Sequence, residues 1–216
     1  MEPSNQSALD PGELFVHESG HALAYDALGI PLKSCSVFTF ADSKLDHGST
    51  KSNADGPPPT FPSMCFILMA GPAAHMFVAG KPFDVVANRF YSDFSFLFRK
   101  FPQLFQTDPA AASMIVKLRR FAETFCKDWV LTNKQPVLRL AISVQSNLIS
   151  PGHYELAGDM LNEAVLRAWQ SSAVALEANI VRSLHPLLDA SVEVSDDLFP
   201  WLNNWIGRMR QDTTPA

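Results

Sequence analysis

The chain has 216 residues, close to half of them apolar and 16 of them phenylalanine, with a net charge of −5. Such a length and apolar content suit one compact domain with a substantial core, and exclude disorder over most of the sequence. An acidic total with no basic cluster argues against a nucleic-acid partner, which requires a cationic face to displace counterions.

Residues 1–9 are polar, read as a flexible N-terminus, and lack the charged and apolar regions of a signal peptide. Asp10 is suited to cap a helix, Pro11 to begin it and Glu13 to complete the cap. Leu14, Ala22, Tyr25 and Leu28 give that helix an apolar face, Gly20 and Ala22 allow close approach of a neighbour, and Gly29-Ile30-Pro31 stops it. Residues 35–40 read as a short strand, either an edge that holds an extended peptide or an ordinary sheet strand. Residues 41–60, with Asp55-Gly56 and Pro57 to Pro59, read as a loop.

The rest of the chain reads as helical. Segment 61–79 ends at Gly80; it is the one candidate membrane span, but Pro62, Gly71, Pro72 and His75 make it a buried core helix instead. Helices follow at 92–101, at 108–132 behind a Thr107 cap, at 135–148, from Ser150-Pro151 to 170, at 173–188 and at 196–209. The expected fold is mainly α with a small β element, as a domain over 10–170 and a C-terminal helical extension over 171–216, packed on the domain or at an interface. Leu198, Leu202, Trp205, Ile206 and Met209 stripe the last helix without the basic face that anionic lipid requires. Lys117, Arg119 and Arg120 read as a solvated helix face. Cys35, Cys65 and Cys126 are odd in number and form no C-x-x-C pair, as expected of reduced, buried thiols in a cytoplasmic protein.

The first helix carries the chemistry. His17-Glu18-Ser19-Gly20-His21 is an H-E-x-x-H, which this composition produces by chance roughly 0.006 times per chain. Residues four apart share a helix face, so both imidazoles can bind one zinc ion, with Glu18 placed to deprotonate a metal-activated water. A catalytic zinc takes a third protein ligand. Ala24 and Ala27 occupy the positions where the extended H-E-x-x-H-x-x-G-x-x-H form has glycine and histidine, so the third ligand lies downstream. Asp93 is a carboxylate at an apolar edge beside Phe90, Phe94, Phe98, Phe101 and Phe105, and reads either as a ligand or as an aspartate at a helix N-terminus. His75 is the alternative third ligand, or a hydrogen-bonded core histidine. Glu123, Glu155 and Glu163 are remoter candidates, and His47, His153 and His185 have no motif support.

Three ordered segments resemble the peptidase domain of FtsH-type ATP-dependent zinc proteases. His17-Glu18-Ser19-Gly20-His21-Ala22 is similar to the family's H-E-A-G-H-A. Ala70-Gly71-Pro72-Ala73-Ala74-His75 is similar to its G-G-R-x-A-E, with Pro72 in place of the arginine and His75 in place of the acid. Tyr91-Ser92-Asp93-Phe94 falls where the family has S-N-D-[LI]. The resemblance covers roughly residues 10–165 and implies a zincin-like fold, Asp93 as third zinc ligand with His17 and His21, and Glu18 as general base. It further implies a stand-alone peptidase without ATPase or membrane segments. The expected function is that of a cytoplasmic zinc metalloendopeptidase acting on a protein or peptide, with a homo-oligomer or a separate ATPase as possible partner. The alternative is a non-proteolytic zinc-containing protein that keeps the fold to bind peptides or to regulate.

Overall fold

The computed structural model describes residues 11–39, 46–53, 58–104, 108–168 and 176–192. The expectations for residues 1–9, the Asp10 and Thr107 caps, Phe105 and the 196–209 helix lie outside these. The described chain is mainly helical with a four-stranded antiparallel sheet. Its order is α1 (Pro11–Ala27), β1 (Leu32–Phe38), β2 (His47–Ser52), α2 (Phe61–Phe77), α3 (Phe83–Lys100), α4 (Asp108–Phe121), α5 (Lys127–Thr132), α6 (Lys134–Gln145), β3 (Leu148–Ser150), β4 (His153–Ala157), α7 (Gly158–Ala168) and α8 (Leu176–Asp189). A π-helical turn, Ala122–Cys126, joins α4 to α5.

Helix α1 sits at the centre. It packs on α2, α6 and the strands β1 and β2, with Leu14, Phe15 and Leu23 wholly buried. Gly29, at φ 68°, ends it as expected, donating to the Asp26 carbonyl while Ile30 donates to that of Tyr25. The close approach expected at Gly20 is present: a Cβ there would lie 2.6 Å from the Ala70 carbonyl oxygen on α2. Thr60 caps α2, whose residues from Ser63 to Met76 are all buried. No helix among the described residues is long and apolar enough to cross a membrane. The three cysteines are buried and free, and Ile180 and Leu184 of α8 join the same core as α1 and α2.

Four expectations are corrected. First, the stretch read as a loop over 41–60 contains β2, a polar strand recruited by backbone pairing with β1 rather than by an apolar pattern. Second, the sheet order β2-β1-β4-β3 makes β1 an inner strand, so its backbone is already paired on both sides and cannot capture a peptide; β2 is the edge beside α1. Third, Pro151-Gly152 does not open a helix but turns the β3–β4 hairpin, with Gly152 at φ 74° and its carbonyl accepting from Thr39. Fourth, the helix expected from 92 begins at Phe83, because Val86, Phe90, Phe94 and Leu97 form one continuous buried stripe. Asp93 therefore lies in the middle of α3, and the reading as a helix N-terminal aspartate is excluded.

Candidate metal centre

His17 and His21 project from one face of α1 toward Asp93 on α3. His17 Nε2 and His21 Nε2 are 3.0 Å apart, and Asp93 carboxylate oxygens lie 3.3 Å from the first and 3.4 Å from the second. Two ligands bound at about 2.05 Å to a tetrahedral zinc are separated by about 3.3 Å, and the two nitrogens and the carboxylate, which meets each histidine with a different oxygen, are spaced on that scale. Both histidines are buried. His21 Nδ1 is bound to the Ile67 carbonyl at 2.7 Å, which in the neutral ring puts the lone pair on Nε2, facing the other two donors. Asp93 Oδ2 and His17 Nδ1 are buried without a hydrogen-bond partner among the described residues. Two converging imidazole nitrogens and an orphaned carboxylate oxygen are the donor set that a divalent cation satisfies.

The electrostatics express the same crowding. Burial drives the His17 pKa down to about 4 despite Asp93. Burial opposes charge on His21 too, but Asp93 and Glu18 outweigh it and raise the ring to about 9. Asp93 is itself held below the usual carboxylate range, burial being overcome by the two histidines.

One turn before the ligands on both helices lies a second polar layer. Glu13 precedes His17 by four residues and Arg89 precedes Asp93 by four, so each shares a helix face with its ligand. His75, fully buried on α2, joins them: its Nε2 donates to Glu13 at 3.2 Å and its Nδ1 accepts from Arg89 at 3.4 Å. Lys81 closes an ion pair on Glu13. Burial would raise the Glu13 pKa, but Lys81 and His75 lower it, so this carboxylate is charged. The His75 ring meets His17 edge-on, centroids 5.9 Å apart. His75 is thus placed behind the centre rather than in it.

Glu18 faces a cleft of about 650 Å³ that His21, Asp93, Tyr25, Ile67, Leu68, Phe96 and the length of β2 also line. Thr50 on β2 donates to a Glu18 carboxylate oxygen at 2.8 Å, fixing its direction. Burial raises the Glu18 pKa to about 7, against the opposing pull of His21 and Thr50. The remoter ligand candidates are elsewhere: Glu123 pairs with Arg119, Glu163 with Arg167, and Glu155 with His153 on β4. His47 and His153 stack on either side of Phe38. Of the expected solvated face, Arg119 and Arg120 are exposed, Arg119 lying over the Phe83 ring, while the half-buried Lys117 donates to the Leu188 carbonyl.

Neither a protein-family model nor a curated protein matches this chain.

The sequence marks Glu13 only as part of a helix cap and gives no local signal for Arg89 or Thr50. The i−4 spacing of Glu13 and Arg89 from the ligands was visible, but nothing local says that two helices 70 residues apart in sequence face each other. The polar strand bearing Thr50 has no apolar alternation to mark it.

Proposed function

We propose that this protein is a zinc metallopeptidase of zincin-like fold, related to the peptidase domain of FtsH-type proteases, that hydrolyses peptide bonds in protein or peptide substrates. The observation that carries the reading is the convergence of His17 Nε2, His21 Nε2 and the Asp93 carboxylate, with contacts of 3.0, 3.3 and 3.4 Å, beside Glu18 in the same cleft. Two imidazoles and one carboxylate suit zinc better than the all-oxygen sets preferred by magnesium or calcium. Bound there, zinc supplies Lewis acidity and brings the acidity of water near neutral pH.

The remaining chemistry belongs to the chain. Glu18, oriented by Thr50, takes the proton of the attacking water and passes it to the leaving amine. The open edge of β2 offers backbone groups to an extended peptide, which would add a strand beside the centre. The Glu13–His75–Arg89 layer ties α1, α2 and α3 together one turn away and holds the ligand-bearing faces in register. Reduced, buried cysteines accord with a cytoplasmic setting.

Metal analysis combined with proteolysis tests the proposal. Purified protein is expected to carry about one zinc per chain and to cleave an unfolded protein such as reduced casein, while His17→Ala/His21→Ala loses both metal and cleavage. Stoichiometric zinc in the double variant would put the metal elsewhere and end this reading.

A further inference from the structure

Tyr25 is a polar group of the cleft that neither holds the metal nor orients the base. It follows His21 by four residues and His17 by eight, on the ligand-bearing side of α1. Side chains of a helix lean toward its N-terminus, so the Tyr25 ring leans back toward His21 and the centre. It lines the same cleft as Glu18, His21 and Asp93, although the residue is only 7% exposed. Its hydroxyl is hydrogen-bonded to the side chain of Ser52, the last residue of β2. It is also near enough to Asp93 to feel its charge: burial raises the phenol's pKa, Ser52 lowers it, and the Asp93 carboxylate raises it further. Tyr25 is therefore a neutral donor at physiological pH. A serine hydroxyl can donate to the phenolic oxygen, which leaves the phenol's own proton for the cleft.

The strand gives the distance to the base. Gly48 abuts Glu18 and Thr50 donates to it, and Ser52 follows on the same face, opposite the buried Leu32 of β1. Residues two apart on one strand face are about 7 Å apart, so the phenol stands on the order of 7 Å from the Glu18 carboxylate. That interval accommodates a water bound to the base, a carbonyl carbon about 3 Å from the water, and the carbonyl oxygen within reach of the phenol. Of the other donors in the cleft, Thr50 is committed to Glu18, while Lys33, Lys51 and Arg99 are exposed. A donor shielded from water acts more strongly on developing charge.

We propose that Tyr25 is a catalytic residue, whose hydroxyl donates to the scissile carbonyl oxygen and stabilises the negative charge that gathers there as water attacks. The phenol keeps its proton throughout, and its bond strengthens as the carbonyl oxygen becomes anionic. This role rests on the peptidase reading for its reaction, but it has a binding consequence that is measurable without turnover.

The experiment compares three zinc-loaded proteins at equal metal content. They are the parent, Tyr25→Phe, which removes one hydroxyl, and Ser52→Ala, which breaks the Tyr25–Ser52 bond but keeps the phenol. Tyr25→Phe is expected to lower kcat on reduced casein about a hundredfold with KM within about twofold, and Ser52→Ala to lower kcat only about threefold. The second arm measures binding alone. Its probe is a phosphinic peptide with a PO2–CH2 unit, tetrahedral and anionic, in place of the scissile amide, flanked by Phe and Leu to suit Ile67, Leu68 and Phe96. Tyr25→Phe should weaken this probe about thirtyfold, but in a Glu18→Gln background should change affinity for the matching amide peptide less than about threefold. Equal affinity of the parent and Tyr25→Phe for the probe, absence of binding to either included, overturns the proposal. So does a kcat loss from Ser52→Ala as large as that from Tyr25→Phe. The two readings separate: casein cleavage untouched by Tyr25→Phe leaves the peptidase and removes this role, while a loss of probe affinity without any casein cleavage does the reverse.

Discussion

Asp93 and His75 divide between them the roles that a third ligand and its support require. Asp93 offers oxygens to both histidines, whereas both ring nitrogens of His75 are engaged by Glu13 and Arg89. Asp93→Ala is therefore expected to weaken zinc binding at least about a hundredfold, and His75→Ala about tenfold or less, measured by competition with a chromophoric chelator. His75→Ala also removes one of two partners of the Glu13 carboxylate, which keeps Lys81, and the Nδ1 acceptor of the Arg89 guanidinium, at about 1–3 kcal/mol of stability. A larger loss of metal from His75→Ala than from Asp93→Ala would exchange the two assignments. The raised pKa of His21, about 9 in the metal-free protein, carries a sign of its own. Zinc must displace that proton, so below pH 9 protons compete with the metal. Affinity should rise by about tenfold per pH unit between pH 7 and pH 8.5, with about one proton released per zinc in calorimetry run in buffers of different ionisation enthalpy. Affinity independent of pH over that range would mean that His21 is already deprotonated.

The elements hold these residues through unusually close backbone approaches. Gly71 of α2 lies against the His21 imidazole, and a side chain there would overlap the ring. The next residue, Pro72, has no N–H for the Leu68 carbonyl four residues back and its ring crowds that turn. The adjacent carbonyl, that of Ile67, is the one that holds His21 Nδ1. Gly71→Ala should cost about 1–3 kcal/mol in urea denaturation by overpacking, and should also weaken zinc binding because the displaced group is a ligand. Unchanged stability together with unchanged affinity would mean that α2 does not pack on the ligand as described. The glycine-terminated α1 is legible from residues alone because its first residue, Pro11, its apolar face and its stop are all local signals. The extent of α3 is not: its first half gains its helical state from burial of Val86 and Phe90, which depends on partners far away in sequence. The β3–β4 hairpin escapes the sequence because Pro151 suits the opening of a helix, while the Pro-Gly pair is a turn signal of at least equal strength.

At the scale of the whole molecule, α1 is the hub through which core and chemistry share one helix. Its apolar face meets α2, α6 and the sheet, while the ligands and Glu18 occupy the side that α3 and β2 close over. The motif announced two ligands and a base. The assembly of the cleft depends instead on long-range pairings, β2 on β1 and α3 on α2, that no local pattern states. The account stands or falls on whether that assembly performs hydrolysis, and Glu18 is the group that separates catalysis from binding. The direct measurement is the initial rate of cleavage of an unfolded protein by the parent and by Glu18→Gln at equal, verified zinc content. The two carry the same metal and shape, but the variant lacks the base, so its rate is expected to fall about a thousandfold. Equal rates from the two proteins, or no zinc-dependent cleavage by the parent, would contradict the account.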